Sequence, residues 1–301
     1  YPDGGCFHLK EALGKRFEVD PSMITIGNGS NDVLEILGRL FLRPGTNAVV
    51  SEHSFVVYGL VTLAQGAEVR EVPARDFGQD LNATLAAIDD NTRMVFIANP
   101  NNPTGTWVKS AELERFLDAV PSDVLVVLDE AYFEYVSDPD YPNGLALMGR
   151  YPNLIVTRTF SKAYGLAGLR LGWSVSPPGV ADLMNRIRQP FNVNSLAMAG
   201  GLIALTDDDH VEAGVAVNNL GLEQMSSGLA SLDLPFIPSA GNFLTVEFSR
   251  GAQPTYEAML REGVILRPVG VYGLVDYLRI SIGTESENDR CLEALHRVVD
   301  R

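Results

Sequence analysis

Residues 123–132 read DVLVVLDEAY, and the five consecutive apolar residues at 124–128 decide how the chain is read. A strand with one wet face alternates apolar and polar residues. An unbroken apolar run of this length suits a strand covered on both faces, as in a parallel sheet held between helices. Short apolar, β-branched runs recur in MITIG (23–27), NAVVSE (47–52), EVREVP (68–73), RMVFIANP (93–100), NLIVTRTFS (153–161) and LRLGWSVS (169–176). Helix-like stretches such as SNDVLEILGRLFL (30–42) and SAELERFLDAV (110–120) lie between them. This alternation predicts an α/β fold with a mostly parallel central sheet.

The texture changes after about Pro190. FNVNSLAMAGGLIALT (191–206) reads as a long helix, and strand-like pieces return in GNFLTVEF (241–248) and YLRISIG (277–283). The expected division is a large domain over 20–207 and a smaller α+β domain over 208–301, with residues 1–19 joined to the smaller one. No internal repeat or low-complexity tract is present.

A chain of 301 residues with 46% hydrophobic and 20% charged residues has ample material for a packed core. The net charge of −15 repels nucleic acid and anionic membrane, which excludes both as partners while permitting a small anion held locally by amides and arginines. No apolar run approaches the length of a membrane span, and no charged-then-apolar leader opens the chain, so a cytoplasmic protein is expected. Cys6 and Cys291 stand far apart, match no metal spacing and read as idle buried thiols; no metal is expected.

In open α/β sheets, ligands bind beyond the carboxyl ends of the strands. Four such ends carry polar residues. Asn28, Gly29, Ser30 and Asn31 follow the first run, and the segment 99–105 (NPNNPTG) follows the fourth. Asp129, Glu130, Ala131 and Tyr132 follow the fifth, and Thr159, Phe160, Ser161 and Lys162 the sixth. GNGSND (27–32) offers helix-N-terminal amides for a phosphate, although a simple capped helix explains it equally well alone. As a dinucleotide fingerprint it is weak, because Asp32 replaces the third glycine. Asp129 ends an apolar strand, where a carboxylate is costly unless something cationic meets it; a loop cap is the plain structural reading.

Lysine is scarce: only positions 10, 15, 109 and 162 among 23 basic residues. Lys162 sits in the mostly apolar TRTFSKAYGLAGLRLGW (157–173), eight residues before Arg170. An apolar setting near a second cation disfavours the ammonium and frees the amine as a nucleophile, whereas a lone lysine more often reaches out to solvent. A phosphate cradle, a carboxylate for a ring cation and an activated lysine are together what pyridoxal phosphate needs.

At these residues the sequence resembles the fold-type-I, class-II pyridoxal-phosphate-dependent aminotransferases, and within them the histidinol-phosphate aminotransferases. The resemblance runs through YPDGG (1–5), GNGSNDVLE (27–35), ANPNNPTGT (98–106), VVLDEAYFEY (126–135) and RTFSKAYGLAGLRLGW (158–173). It continues through RQPFNVNSLA (188–197), SAGNF (239–243), GVILRPV (263–269) and LRISIGT (278–284). It implies an αβα sandwich with a smaller α+β domain, pyridoxal 5'-phosphate as cofactor, and a homodimer acting in histidine biosynthesis. The substrates implied are L-histidinol phosphate and 2-oxoglutarate, giving imidazole-acetol phosphate and L-glutamate.

The resemblance also implies residue roles. Lys162 would carry the cofactor covalently and shuttle a proton, Asp129 would pair with the ring nitrogen, and Tyr132 with Asn102 would bond the ring hydroxyl oxygen. Phe55 would stack on the ring. The phosphate would be held at Gly29, Ser30 and Asn31 with Thr159, Ser161 and Arg170, and by the partner subunit's Tyr1. Arg279 and Arg267, with Asn102, would receive the substrate's anionic end; without the motif, both arginines read as ordinary ion-pair residues. Relatives carry an Asn-x-Asn-Pro-x-Gly arm before YPDG, which lies outside this sequence, and a proline where this chain has Val275.

Rival expectations are an aromatic amino acid aminotransferase on the same scaffold and, further off, a phosphothreonine-type decarboxylase. From other classes come a non-catalytic binding domain and a nicotinamide-dependent dehydrogenase. The joint presence of Lys162, Asp129, Tyr132, Asn102 and Arg170 argues against the binding domain, and the missing third glycine and Lys162 argue against the dehydrogenase.

Overall fold

The computed structural model describes residues 1–299. Seven strands form the first sheet: β1 (Ile24–Gly27), β2 (Asn47–Ser51), β3 (Glu68–Val72), β4 (Thr92–Ala98), β5 (Leu125–Asp129), β6 (Leu154–Thr159) and β7 (Gly172–Val175). Their order is β1-β7-β6-β5-β4-β2-β3. The neighbours β3, β2, β4, β5 and β6 are parallel, and β7 runs antiparallel between β6 and β1. All seven apolar runs are strands of this sheet.

The continuous apolar texture follows from burial on both faces. Successive strand residues point to opposite faces. Thus Val126 and Leu128 of β5 enter one core while Val127 enters the other. The helices around this sheet are α1 (Phe7–Phe17), α2 (Ser30–Phe41), α3 (Val57–Ala64), α4 (Leu81–Ala86), α5 (Ser110–Ala119), α6 (Gly144–Leu147), α7 (Pro178–Ile187) and α8 (Ser195–Ala204). Helix α2 buries Val33, Leu34, Ile36 and Leu37, the three-to-four spacing of one helical face. Helix α5 does the same on the other side with Leu113, Phe116 and Leu117.

The C-terminal part builds a four-stranded antiparallel sheet, β10-β11-β9-β8. Its strands are β8 (Phe236–Ile237), β9 (Phe243–Glu247), β10 (Arg267–Pro268) and β11 (Tyr277–Ser281). Helices α9 (Asp208–Ser231), α10 (Ala252–Arg261) and α11 (Glu285–Val299) complete it. Met225, Leu244, Val246, Met259, Leu278 and Leu295 share a separate core.

Two expectations change. Residues 1–19, assigned above to the C-terminal domain, pack on the first sheet: Leu9 and Leu13 of α1 lie in one core with Ile24, Trp173 and Ala197. The stretch 191–206 is helical only from Ser195, because the Asn194 side chain accepts a hydrogen bond from the Ala197 amide and caps α8 there. The long helix is the 24-residue α9 that follows.

Candidate active site

Helix α2 starts where the sheet has almost no side chains. Gly172 of β7 pairs with Gly27 of β1 on one side and Thr159 of β6 on the other. A Cβ on Gly172 would fall 2.2 Å from the Ser30 amide nitrogen. Gly29, at φ 82°, is equally constrained, since a Cβ there would lie 2.4 Å from Arg170 Nη2. The glycines therefore seat the helix N-terminus, with first-turn amides that have no intrahelical acceptor, directly beside the Arg170 guanidinium. Ser161 Oγ accepts a bond from Arg170 Nη1 at 3.4 Å, and Thr159 Oγ1 accepts one from the Ser161 amide at 3.1 Å.

Ser30, Asn31, Thr159, Ser161 and Arg170 line one end of a cavity of about 190 Å³. Asp129, Tyr132, Lys162, Asn102 and Phe55 line the rest, with Tyr58, Ala98, Pro100 and Ala131. Asp129 is 5% exposed at the end of β5. Tyr58 donates to its Oδ2 at 2.8 Å and Thr157 to its Oδ1 at 2.9 Å. Burial pushes the Asp129 carboxyl up, and the two hydroxyls and Lys162 oppose the rise. Burial pushes the Lys162 ammonium down, helped by the Arg279 and Arg170 charges and opposed by Asp129. Lys162 Nζ lies 5.1 Å from the Tyr132 ring centre. Burial holds the Tyr132 hydroxyl at about 12, so it stays protonated at neutral pH.

Arg279 of β11 donates to Asn102 Oδ1, which brings the second sheet to the cavity. The segment 99–105 meets that sheet twice more: Ala240 donates its amide to Gly105 O at 2.9 Å, and Thr245 Oγ1 donates to Pro103 O. Arg267 stands opposite Arg279 in register, and both charges are felt at the Tyr272 hydroxyl. Arg267 itself is exposed and outside the cavity lining. Tyr1 is fully exposed, its ring 5.1 Å from Phe191 and away from the cavity of its own chain.

Sequence reasoning missed Tyr58 and Thr157. Thr157 is the register partner of Asp129 in β5–β6 pairing, and Tyr58 lies in the first turn of α3, three residues after Phe55; neither pairing with Asp129 has a local signal in the sequence. Among the described residues no group of three or more histidine, cysteine or acidic side chains is placed to hold a metal ion. No described helix is long and apolar enough to cross a membrane.

The site can hold an anionic group at one end and a cationic ring nitrogen at Asp129, beside an amine biased toward its neutral form. That donor set fits pyridoxal phosphate.

Comparison with known proteins agrees. Residues 2–295 match the family described as aminotransferase class I and II. Histidinol-phosphate aminotransferase 2 of Pseudomonas aeruginosa is 56% identical over 99% of this chain and 81% of its own length. The Methylobacillus flagellatus histidinol-phosphate aminotransferase is 52% identical over 99% of this chain and 81% of its own. The crystal structure of histidinol-phosphate aminotransferase from Sinorhizobium meliloti, in complex with pyridoxal-5'-phosphate, superposes with a TM-score of 0.94 at 32% identity. It covers all of this chain and 83% of that one. With the family matched over residues 2–295 and relatives above half identity along nearly its whole length, the chain belongs to the class I and II aminotransferase family.

Proposed function

We infer that this protein is a pyridoxal-phosphate-dependent histidinol-phosphate aminotransferase of histidine biosynthesis. It exchanges the amino group between L-histidinol phosphate and 2-oxoglutarate, giving imidazole-acetol phosphate and L-glutamate. The observation that carries the reading is Lys162: a half-buried lysine with no hydrogen-bond or ion-pair partner among the described residues, facing Asp129 across a cavity that ends in a helix N-terminus. Relatives at 50–56% identity over the full chain carry the same name.

Bound pyridoxal phosphate supplies an electron-withdrawing ring that stabilises negative charge at the substrate's amine-bearing carbon. The protein's own residues do the rest. The amides at Ser30 and Asn31, with Thr159, Ser161 and the Arg170 fork, hold the phosphate. Asp129 would keep a proton on the ring nitrogen, Phe55 would pack against the ring, and Tyr132 with Asn102 would hold the ring oxygen. Lys162 Nζ is the covalent anchor and the base that moves a proton to and from the reacting carbon. Arg279, supported by Arg267, receives the phosphate of one substrate and the carboxylate of the other; both are anions that an arginine fork accepts.

In this reading the first sheet with helices α1–α8 is the cofactor domain, and the second sheet is the smaller domain that brings Arg279. The protein works in the cytoplasm as a homodimer in which the partner subunit's Tyr1 completes the phosphate site. A sedimentation measurement giving a monomer that turns over would end the dimer assignment.

The test of function is one half-reaction. The cofactor-loaded protein is mixed with L-histidinol phosphate, L-phenylalanine or L-tyrosine, and the cofactor's visible absorbance is followed. Fast loss with histidinol phosphate alone is expected. Faster loss with the aromatic amino acids would reassign the protein to their transamination.

A further inference from the structure

We propose that Tyr58 and Thr157 are positioning residues that hold Asp129 ionised, with its free lone pairs toward the cavity. The proposal rests on the cofactor reading only for its consequence, not for its geometry. Asp129 has no arginine or lysine within hydrogen-bond distance among the described residues. Instead one neutral hydroxyl donates to each carboxylate oxygen, Tyr58 to Oδ2 and Thr157 to Oδ1. Donors to the charged form favour it against desolvation, and a carboxylate has about four acceptor sites, so both oxygens keep capacity. A guanidinium in the same place would neutralise the carboxylate and compete with a cationic ring. Two hydroxyls support the charge without cancelling it.

The Tyr58 hydroxyl is unnecessary for packing. Its ring is completely buried, stacked on Phe96 at 4.8 Å and 8°, and edge-on to Phe55 at 5.7 Å. Phenylalanine would satisfy that wall, yet the chain places a hydroxyl there whose one hydrogen bond goes to Asp129. Burial and the Asp129 charge raise the Tyr58 hydroxyl well above its ordinary value, so it remains a donor. Thr157 is fixed as the β6 residue opposite Asp129 in register. The Ala131 backbone amide also donates to the Asp129 carboxylate; the charged and titratable groups bearing on it are Lys162, Glu130, Tyr132 and Tyr141, and none of these donates to it.

The test begins on the cofactor-free protein. With 13C-carboxyl-labelled aspartate, the Asp129 signal is identified by its loss in Asp129→Asn and titrated by NMR. In Tyr58→Phe and in Thr157→Val it should titrate at higher pH than in the unaltered protein, by about one unit, a tenfold change in proton affinity. Thr157→Ser, which keeps the hydroxyl, should titrate as the unaltered protein does. Equal titration in Tyr58→Phe and the parent would overturn the proposal.

Cofactor affinity gives the second readout. Pyridoxal phosphate should bind Tyr58→Phe about tenfold more weakly, the scale of one lost bond to a charged group. In the Asp129→Asn background the same change should cost nothing. An equal loss in both backgrounds would mean that Tyr58 acts through packing, and would also overturn the proposal. If the unaltered protein binds no pyridoxal phosphate while the titration shift is present, the cofactor reading fails and the placement of Asp129 stands.

Discussion

Asp129 and Glu130 are consecutive acids, 5% and 1% exposed, and the protein treats them in opposite ways. Glu130 is fully matched. Arg158 donates to its Oε2 from Nε at 3.0 Å and Nη2 at 2.8 Å, and the Gly144 amide donates to Oε1 at 2.7 Å. The arginine is closed in as well: it gives a further bond to Asn143 Oδ1, and its guanidinium lies 3.6 Å from the Phe133 ring centre. Asp129, on the cavity side, receives two hydroxyl bonds and no cation. Lys162 differs from Arg158 in the same sense, a cation that makes no hydrogen bond among the described residues beside one whose donors are used. The matched pair holds the loop after β5 in place. The unmatched pair leaves chemistry available, and this contrast of saturation, not burial, separates scaffold from site.

Lys162→Ala should give the largest effect on one side of that contrast and almost none on the other. Turnover and covalent cofactor attachment should vanish, while the melting temperature stays within a few degrees of the parent. A large loss of stability would show that Lys162 is structural after all. Arg158→Met should do the reverse, destabilising by about 3–5 kcal/mol because Glu130 is left buried without its partner. Denaturant unfolding reads this directly, and the double variant Arg158→Met/Glu130→Gln should recover much of the loss. Arg279→Gln comes next. It removes a charged contact to the substrate anion, on the order of 1.5–3 kcal/mol, so kcat/KM should fall about 10- to 100-fold with stability little changed. An unchanged kcat/KM would remove Arg279 from the substrate site.

The inner strands of the sheet were legible because burial on both faces leaves them continuously apolar, as in the five successive apolar residues at 124–128, whereas edge strand β3 (EVREV) showed only as valines set among charged residues. The motifs at the strand ends pointed to the cavity because a parallel sheet puts those ends on one edge. What sequence could not carry was pairing between distant positions. Tyr58 and Asp129 are 71 residues apart, and only the packing of α3 against β4 and β5 brings the hydroxyl to the carboxylate. The placement of α1 failed for a related reason. An amphipathic helix states which face it buries, but not which of two cores receives it. The start of α8 was a different matter, since Asn194 before Ser195 is an N-cap signal already present in the chain. The opposite orientations of Asp129 and Glu130 also follow from the period of two along a strand.

Glu134 offers the smallest and sharpest test of the contrast, because it is a second carboxylate beside an arginine already committed to Glu130. It lies in the 3₁₀ turn Phe133–Tyr135, and among the described residues its carboxylate has a hydrogen bond only from its own backbone amide. Burial pushes it up to about 7; Arg158 opposes the rise and the Glu130 charge reinforces it. The folded state therefore holds this proton more tightly than the unfolded chain, whose carboxyl titrates near 4.5. Below about pH 4.5 both states are protonated and no penalty exists. Between 4.5 and 7 the folded state binds more protons than the unfolded one, so stability falls as pH rises, and above 7 the loss is complete. Glu134→Gln removes that term. It should stabilise the protein at pH 8 by on the order of 1–2 kcal/mol, after allowance for partial solvent access, and give no gain at pH 4. Paired unfolding curves at the two pH values decide it. A gain of equal size at both would mean that Glu134 is not the carboxylate left over when Arg158 closed on Glu130.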